Sequence, residues 1–153
     1  MIPSKQDDRF AKLRNCGGSM KNVLFVCVHN SGRSQMAEGS FNHYASGMAK
    51  AYSAGTSPAS KIDPVVSLVM KERGIDISGQ QPKMLTIEML DSADRVITMG
   101  CGLEKACPAA SVPTEDWALD DPEGKPVDEV RQIRDVIEYK VKALLEEISG
   151  EVS

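Results

Sequence analysis

Aromatic residues are scarce in this sequence, with three phenylalanines, three tyrosines and one tryptophan among 153 residues, and the histidines are only His29 and His43. A structural zinc site takes four ligands, usually in close pairs of cysteine or histidine, so two isolated histidines leave little from which to build one. A basic excess is also missing. The formal net charge is -4, which removes the electrostatic footprint of a nucleic-acid binder and the basic face of a protein held on anionic membranes. Long hydrophobic runs are absent too: Val23 to Val28 and Val65 to Met70 fall far short of the roughly 20 residues that cross a bilayer. The first residues carry Lys5, Asp7, Asp8, Arg9, Lys12 and Arg14 without the apolar core of a secretory signal. A cytoplasmic protein with no nucleic-acid or membrane partner is therefore expected. In that reducing compartment, four cysteines point to catalysis, redox exchange or metal binding rather than to structural cross-links.

What is present reads as one globular domain of ordinary composition, 41% hydrophobic and 26% charged, and a monomer is expected. Residues 1–20 are polar, contain Cys16 and show no apolar period, so they read as a loosely held extension to a domain over 21–153. Val23-Leu24-Phe25-Val26 is short, unbroken and partly β-branched, as a buried parallel strand would be. Helical spacing begins at Ser34 and runs to Ala45 through Met36, Ala37, Phe41 and Tyr44. Ala51 to Ala54 and Arg95 to Met99 read as further strands, and Trp117-Ala118-Leu119 as a fourth. Asp63 caps a helix with Pro64 at its first position, ending near Gly74, and Thr86 to Ser92 is a short helix. A long amphipathic helix repeats Val130, Ile133, Ile137, Val141, Leu144 and Ile148. His43 and Trp117 read as packing residues. Strands alternating with helices predict an α/β fold with a parallel sheet, whose ligands sit beyond the carboxyl ends of the strands. Cys27 lies at such an end.

Between that strand and the first helix runs Cys27-Val28-His29-Asn30-Ser31-Gly32-Arg33-Ser34. The first N-H groups of a helix have no internal partner. Together with the loop amides of Val28 to Gly32 they can surround an oxyanion, which the helix dipole also favours. Arg33 adds a planar fork of donors for two oxyanion oxygens, and the same field stabilises a thiolate. In this reading Cys27 is a nucleophile, Ser34 donates its hydroxyl to the sulfur, and Asn30 holds the unusual φ of a tight nest, with Gly32 relieving steric cost there. His29 either tunes the thiolate or fills the loop.

The run from Leu24 through Cys27, and then Asn30-Ser31-Gly32-Arg33-Ser34-Gln35-Met36-Ala37-Glu38, resembles the low-molecular-weight protein tyrosine phosphatase superfamily. Within it, the run resembles the thioredoxin-coupled arsenate reductases. Tyr52-Ser53-Ala54-Gly55 and Trp117-Ala118-Leu119-Asp120-Asp121-Pro122 share the likeness, which covers roughly residues 21–149. The resemblance implies a single-domain, four-stranded parallel sheet flanked by helices and no bound cofactor. It also implies that Asp121 is a general acid, supported by Asp120. Phosphatases of the superfamily usually carry an aromatic residue after Asp-Pro, whereas Glu123-Gly124 follow here, and an open polar rim suits a small oxyanion such as arsenate or phosphate.

Cys101 and Cys107 follow the third strand, on the side of the sheet expected to hold Cys27. Their own alternatives are redox exchange, two buried thiols or half of a zinc site. The resemblance implies the first: Cys27 forms an adduct with arsenate, Cys101 releases arsenite and makes a disulfide with Cys27, and Cys107 takes over to leave Cys101-Cys107. An external thiol, from thioredoxin or a low-molecular-weight donor, then reduces the pair. A phosphatase, or a non-enzymatic redox-sensing or oxyanion-binding module, are the other readings. Some superfamily members bind potassium with residues that align with Asn30, Glu38, Ser53 and a position near Gln81 or Lys83. A lysine there implies that its ammonium takes the ion's place, so no metal is expected.

Overall fold

The computed structural model describes residues 21–99 and 114–152. The extension over 1–20, with Cys16, and the segment that carries Cys101 and Cys107 lie outside the described residues.

Strand β1, Lys21–Cys27, is buried without a break from Val23 to Cys27. The reason is its place inside the sheet, parallel to β2 (Ala49–Gly55) on one side and to β3 (Arg95–Thr98) on the other. β4, Thr114–Asp116, pairs in parallel with β3 and completes the order β2-β1-β3-β4. The expected parallel four-stranded sheet is present.

The helices are α1 (Arg33–Ala45), α2 (Pro64–Lys71), α3 (Ile87–Ser92) and α4 (Val127–Val152). Three of the boundaries show a local cause. α1 stops where Ser46 and Gly47 turn left-handed, at φ 54° and 84°. The Asp63 carboxylate accepts the N-H of Val65 at 2.9 Å and Pro64 opens α2, as the sequence suggests. The Thr86 hydroxyl caps α3 by accepting from the N-H of Met89 at 3.1 Å. The apolar stripe read along α4 is buried throughout. Among the described residues no helix is long and apolar enough to cross a membrane.

Successive side chains of a strand point to opposite faces, and β1 divides accordingly. Val23, Phe25 and Cys27 join the larger core, formed with α1, α2 and α4. Leu24 and Val26 join a smaller one beside Met89 and Leu90 of α3. Phe25 is central, its ring 5.9 Å from Phe41 and 5.5 Å from Trp117.

The fourth strand departs from expectation, occupying Thr114–Asp116 rather than 117–119. The N-H of Trp117 still donates to the Thr98 carbonyl at 2.7 Å, but the chain then leaves the ladder. The apolar signal at Trp117 marks a core contact, while the ladder residues at this sheet edge are exposed. His43 also differs from its reading. It is exposed on α1 and touches only the edge of the Tyr44 ring in the described aromatic contacts, at 4.7 Å.

An ion-pair cluster ties α2 to α4. Arg134, buried, donates to the Val69 carbonyl and to Glu72, each at 2.8 Å. Arg131 grips the same Glu72 carboxylate at 2.8 Å. The hydrogen bonds from Arg131, then those from Arg134, hold the Glu72 carboxyl down to about 2 from its ordinary 4.5. A lowered folded value means that the stabilisation is present above pH 4.5 and disappears as pH falls toward 2. Glu72→Gln should therefore lower the melting temperature at pH 7, and the gap from wild type should close when both are melted at successively lower pH down to about 2.

Candidate active site

Val28 to Gly32 carry the chain from the end of β1 into α1. The turn depends on Asn30, which takes a left-handed φ of 51°, a conformation that asparagine tolerates better than most residues. Around it the loop carbonyls are tied off in order. Those of Cys27, Val28 and His29 accept from the N-H groups of Thr56, Ser57 and Ala59 at 3.2, 2.8 and 2.9 Å, and that of Ser31 from Asp63 at 3.0 Å. The Gly32 carbonyl starts the helix by accepting from Met36 at 2.9 Å, and that of Asn30 accepts from the Gln35 side chain at 3.0 Å.

In a trans peptide unit the carbonyl and the following N-H point in opposite directions, and none of the described bonds is cis. The unit joining His29 to Asn30 shows the result: its carbonyl faces Ala59, and its N-H donates to Cys27 Sγ at 3.2 Å. Gly55 lets β2 come this close. A Cβ there would lie 2.5 Å from the Val28 carbonyl oxygen and 3.0 Å from Asn30 Cβ.

The thiol has a second neighbour in Ser34 Oγ, at 2.8 Å, and the orientation of the Asn30 amide beside it can be deduced. The backbone N-H of Lys83 meets Asn30 Oδ1 at 2.8 Å. A backbone N-H only donates, so the Asn30 oxygen must face it and its Nδ2 must face Ser34, where it donates to Oγ at 2.7 Å. A Cys27 thiolate only accepts, and towards it the one proton of Ser34 is directed at the sulfur. Cys27, Asn30 and Ser34 are all buried, so two donors converge on Sγ in an enclosed site.

Gly32 is needed for a different reason from the one read in the sequence. The left-handed residue is Asn30, whereas Gly32 has a negative φ of -137°. A Cβ at Gly32 would come within 2.8 Å of Pro122 Cγ, so this glycine admits the Asp120-Asp121-Pro122 segment. Arg33 is buried and donates through Nη1 to the carbonyls of Met99 at 2.7 Å and Leu119 at 3.1 Å. Part of the fork expected to grip an anion thus fastens the loop to the end of β3 and to the segment before Asp121. Asp121 is exposed; its Oδ2 is 3.8 Å from Arg33 Nη2, and its Oδ1 accepts from the N-H of Glu123. His29 Nδ1 lies 3.8 Å from Glu123. His29, Asp121 and Glu123 hold their ligand atoms within 4.8 Å of one another and are the described residues that could hold a metal ion, although the Arg33 cation competes for Asp121.

The residues expected around a potassium ion are bonded to one another and to Lys83. The Ser53 hydroxyl donates to Glu38 Oε1 at 2.5 Å, and Lys83 Nζ stands 4.0 Å from that oxygen and 3.2 Å from the Gln81 carbonyl. Helical periodicity treats polar residues as solvent-facing, and so passed over Gln35, which is wholly buried and bonded to Asn30. The signal available was its place in the first turn of α1, flanked by residues of the buried stripe.

Two outcomes follow from this geometry. Gly32→Ala should cost about 1–3 kcal/mol of stability, as overpacking does, and weaken phosphate binding by calorimetry, because the added methyl displaces Pro122. Thermal stability should be the same in KCl and NaCl at equal ionic strength, and a potassium-specific rise would show that Lys83 does not take the ion's place.

The comparisons place this geometry in a family. The family described as low molecular weight phosphotyrosine protein phosphatase matches residues 22–153. A relative from Synechocystis named glutaredoxin arsenate reductase is 38% identical over 134 residues, covering 85% of this chain and all of the relative. The structure of a thioredoxin-dependent arsenate reductase from Corynebacterium glutamicum superposes with a TM-score of 0.76 at 37% identity, covering 95% of this chain and 72% of that one. The YwlE arginine phosphatase from Geobacillus stearothermophilus has a TM-score of 0.78 at 28% identity, covering 86% and 94%. With a matching sheet, loop and sequence over nearly all of the domain, the chain belongs to the low molecular weight phosphotyrosine protein phosphatase family.

Proposed function

We propose that this chain is an arsenate reductase that converts arsenate to arsenite with Cys27 as nucleophile. The observation that carries the reading is the buried Cys27 thiol, with donors from Ser34 and Asn30 directed at it, at the base of a loop whose carbonyls are bonded elsewhere. Relatives 37–38% identical that bear the name arsenate reductase favour arsenate as the oxyanion.

The Cys27 thiolate attacks arsenic(V) and displaces an arsenate hydroxyl, which takes up a proton from solvent and leaves as water, giving a sulfur-arsenic adduct that the loop amides and Arg33 hold. The Cys101 thiolate then attacks Cys27 Sγ. A Cys27-Cys101 disulfide forms, the sulfur-arsenic bond breaks, and its electron pair stays on arsenic, which leaves as arsenite. Cys107 attacks Cys101, freeing the Cys27 thiolate and leaving a Cys101-Cys107 disulfide. A dithiol donor of the thioredoxin or glutaredoxin class returns that pair to thiols, and no bound cofactor is required. In support, Met99, whose carbonyl holds Arg33, precedes Cys101 by two residues in the sequence.

Asp121 favours a second activity, phosphomonoester hydrolysis. Its carboxylate stands at the rim near Arg33, where a general acid would protonate a leaving oxygen, and an arginine phosphatase shares the fold.

Mass spectrometry after one equivalent of arsenate, without reductant, separates these readings. Recovery of a Cys101-Cys107 disulfide with one arsenite released is expected, whereas free thiols together with aryl phosphate hydrolysis would sink the reductase reading. Cys27→Ser should abolish both activities. Cys107→Ser should release a single equivalent of arsenite and then stop, and continued turnover with a dithiol donor would refute its place in the relay.

A further inference from the structure

Beyond the loop itself, the hydrogen bonds around Cys27 continue outward through two glutamines. Gln35 Nε2 lies 3.0 Å from the Asn30 carbonyl, 3.1 Å from Asn30 Oδ1 and 3.1 Å from the Gln81 carbonyl. Backbone carbonyls only accept, so the nitrogen of this amide must point at them and its oxygen the other way. There Gln80 Nε2 donates to Gln35 Oε1 at 2.6 Å. The bonds therefore run in one direction from Gln80 to Gln35, from Gln35 to Asn30 and from Asn30 to Ser34, and towards a Cys27 thiolate, which only accepts, the last link from Ser34 continues the same way. Neither the Gln35 nor the Asn30 amide can flip without setting oxygen against oxygen or nitrogen against a backbone N-H. Gln35, Asn30 and Ser34 are completely buried, so no solvent substitutes for a lost partner, and an unmade bond there is expensive.

We propose that Gln35, gripped by Gln80, is a positioning residue that keeps the Asn30 amide oriented and thereby directs the Ser34 proton at Cys27. Gln35 is the only one of these groups that bonds both the Asn30 backbone and the Asn30 side chain, so it stabilises the left-handed turn and the amide orientation together. Gln80 and Gln81 lie on the segment that also supplies the Lys83 N-H. The segment 80–83 thus grips Asn30 twice, once directly and once through Gln35. Among the described residues, the charged and titratable groups on the loop and on the elements packed against it include His29 and Arg33, Asp121 and Glu123 on the facing segment, and Lys83 and Glu38 beside Asn30. None of them belongs to this chain of amides. The proposal rests on Cys27 being the nucleophile and needs neither arsenate chemistry nor the other cysteines.

The test uses the full chain with Cys16, Cys101 and Cys107 replaced by serine, so that Cys27 is the sole thiol. Its alkylation by iodoacetamide is followed against pH, with thermal melting alongside. Gln35→Met keeps the length of the side chain and removes its bonds. It should slow alkylation at neutral pH by about tenfold, the effect of one misdirected hydrogen bond to a charged group, and move the midpoint of the profile to higher pH. Gln80→Met, at a half-buried position that tolerates change, should move it the same way by a smaller amount. A fall in melting temperature with an unchanged alkylation profile in both variants would show a merely structural role and overturn the proposal. Should Gln35→Met fail to fold, an unchanged profile in Gln80→Met overturns it alone. Because the readout is the thiol itself, failure of the arsenate relay would leave this result standing.

Discussion

Six consecutive carbonyls, from Cys27 to Gly32, each have a hydrogen-bond donor, and the chemistry of the site follows from that arrangement. A free loop of this length would point its carbonyls wherever sterics allowed, and some would face an approaching anion and repel it. Here the segment from Thr56 to Asp63 draws four of them toward itself, and the amide opposed to one of them, that of Asn30, faces the sulfur. The rest of the domain supports this. β2 is held close by the absence of a side chain at Gly55, Asp63 both caps α2 and bonds the loop, and the α2 to α4 ion pairs keep that helix in place.

An anion loop of this kind does not select a reaction. It binds a tetrahedral oxyanion and keeps a sulfur ready to attack it, and both a phosphoenzyme and an arsenic adduct begin that way. In the proposed readings the reactions diverge at the second step, where either water completes a hydrolysis or a second thiol removes the arsenic. Arg33 sits between the two routes, since its buried guanidinium touches the end of β3 and the segment leading to Asp121. Its contact with Met99 adjoins the cysteine-bearing stretch in sequence, and its contact with Leu119 adjoins Asp120 and Asp121.

Much of this was legible in the sequence, and what was not has physical reasons. The strand before Cys27, the left-handed Asn30, the Ser34 bond to the thiol and the Asp63-Pro64 helix start all depend on residues within a few positions of each other, where spacing is informative. The fourth strand was misplaced because Trp117 carries an apolar signal that belongs to the core around Phe25, whereas the exposed edge residues Thr114, Glu115 and Asp116 carry none. The pairing of Gln35 with Gln80 is not legible in sequence, because the two lie 45 residues apart in the chain and a buried amide has no periodic signature. Gly32 was assigned a conformational role because its actual neighbour, Pro122, is distant in sequence. Local chemistry could be read; what approaches it across the fold could not.

The alternation of β1 has a consequence for how such a domain can vary. Cys27 shares a face with Val23 and Phe25, and Leu24 and Val26 share the other. Inserting or deleting one residue within this strand would reverse that parity and carry the sulfur from the layer of α1, α2 and α4 to the thinner layer of α3, away from Ser34 and Arg33. A change of two residues would restore the face but shift the thiol along the strand by about 7 Å, out of reach of the same donors. Side chains on β1 can be exchanged for others of similar volume, yet its length is fixed. Variation in chain length among descendants of this sequence must therefore collect in the connections, while this strand remains a ruler that measures the distance from the sheet's beginning to its reactive atom.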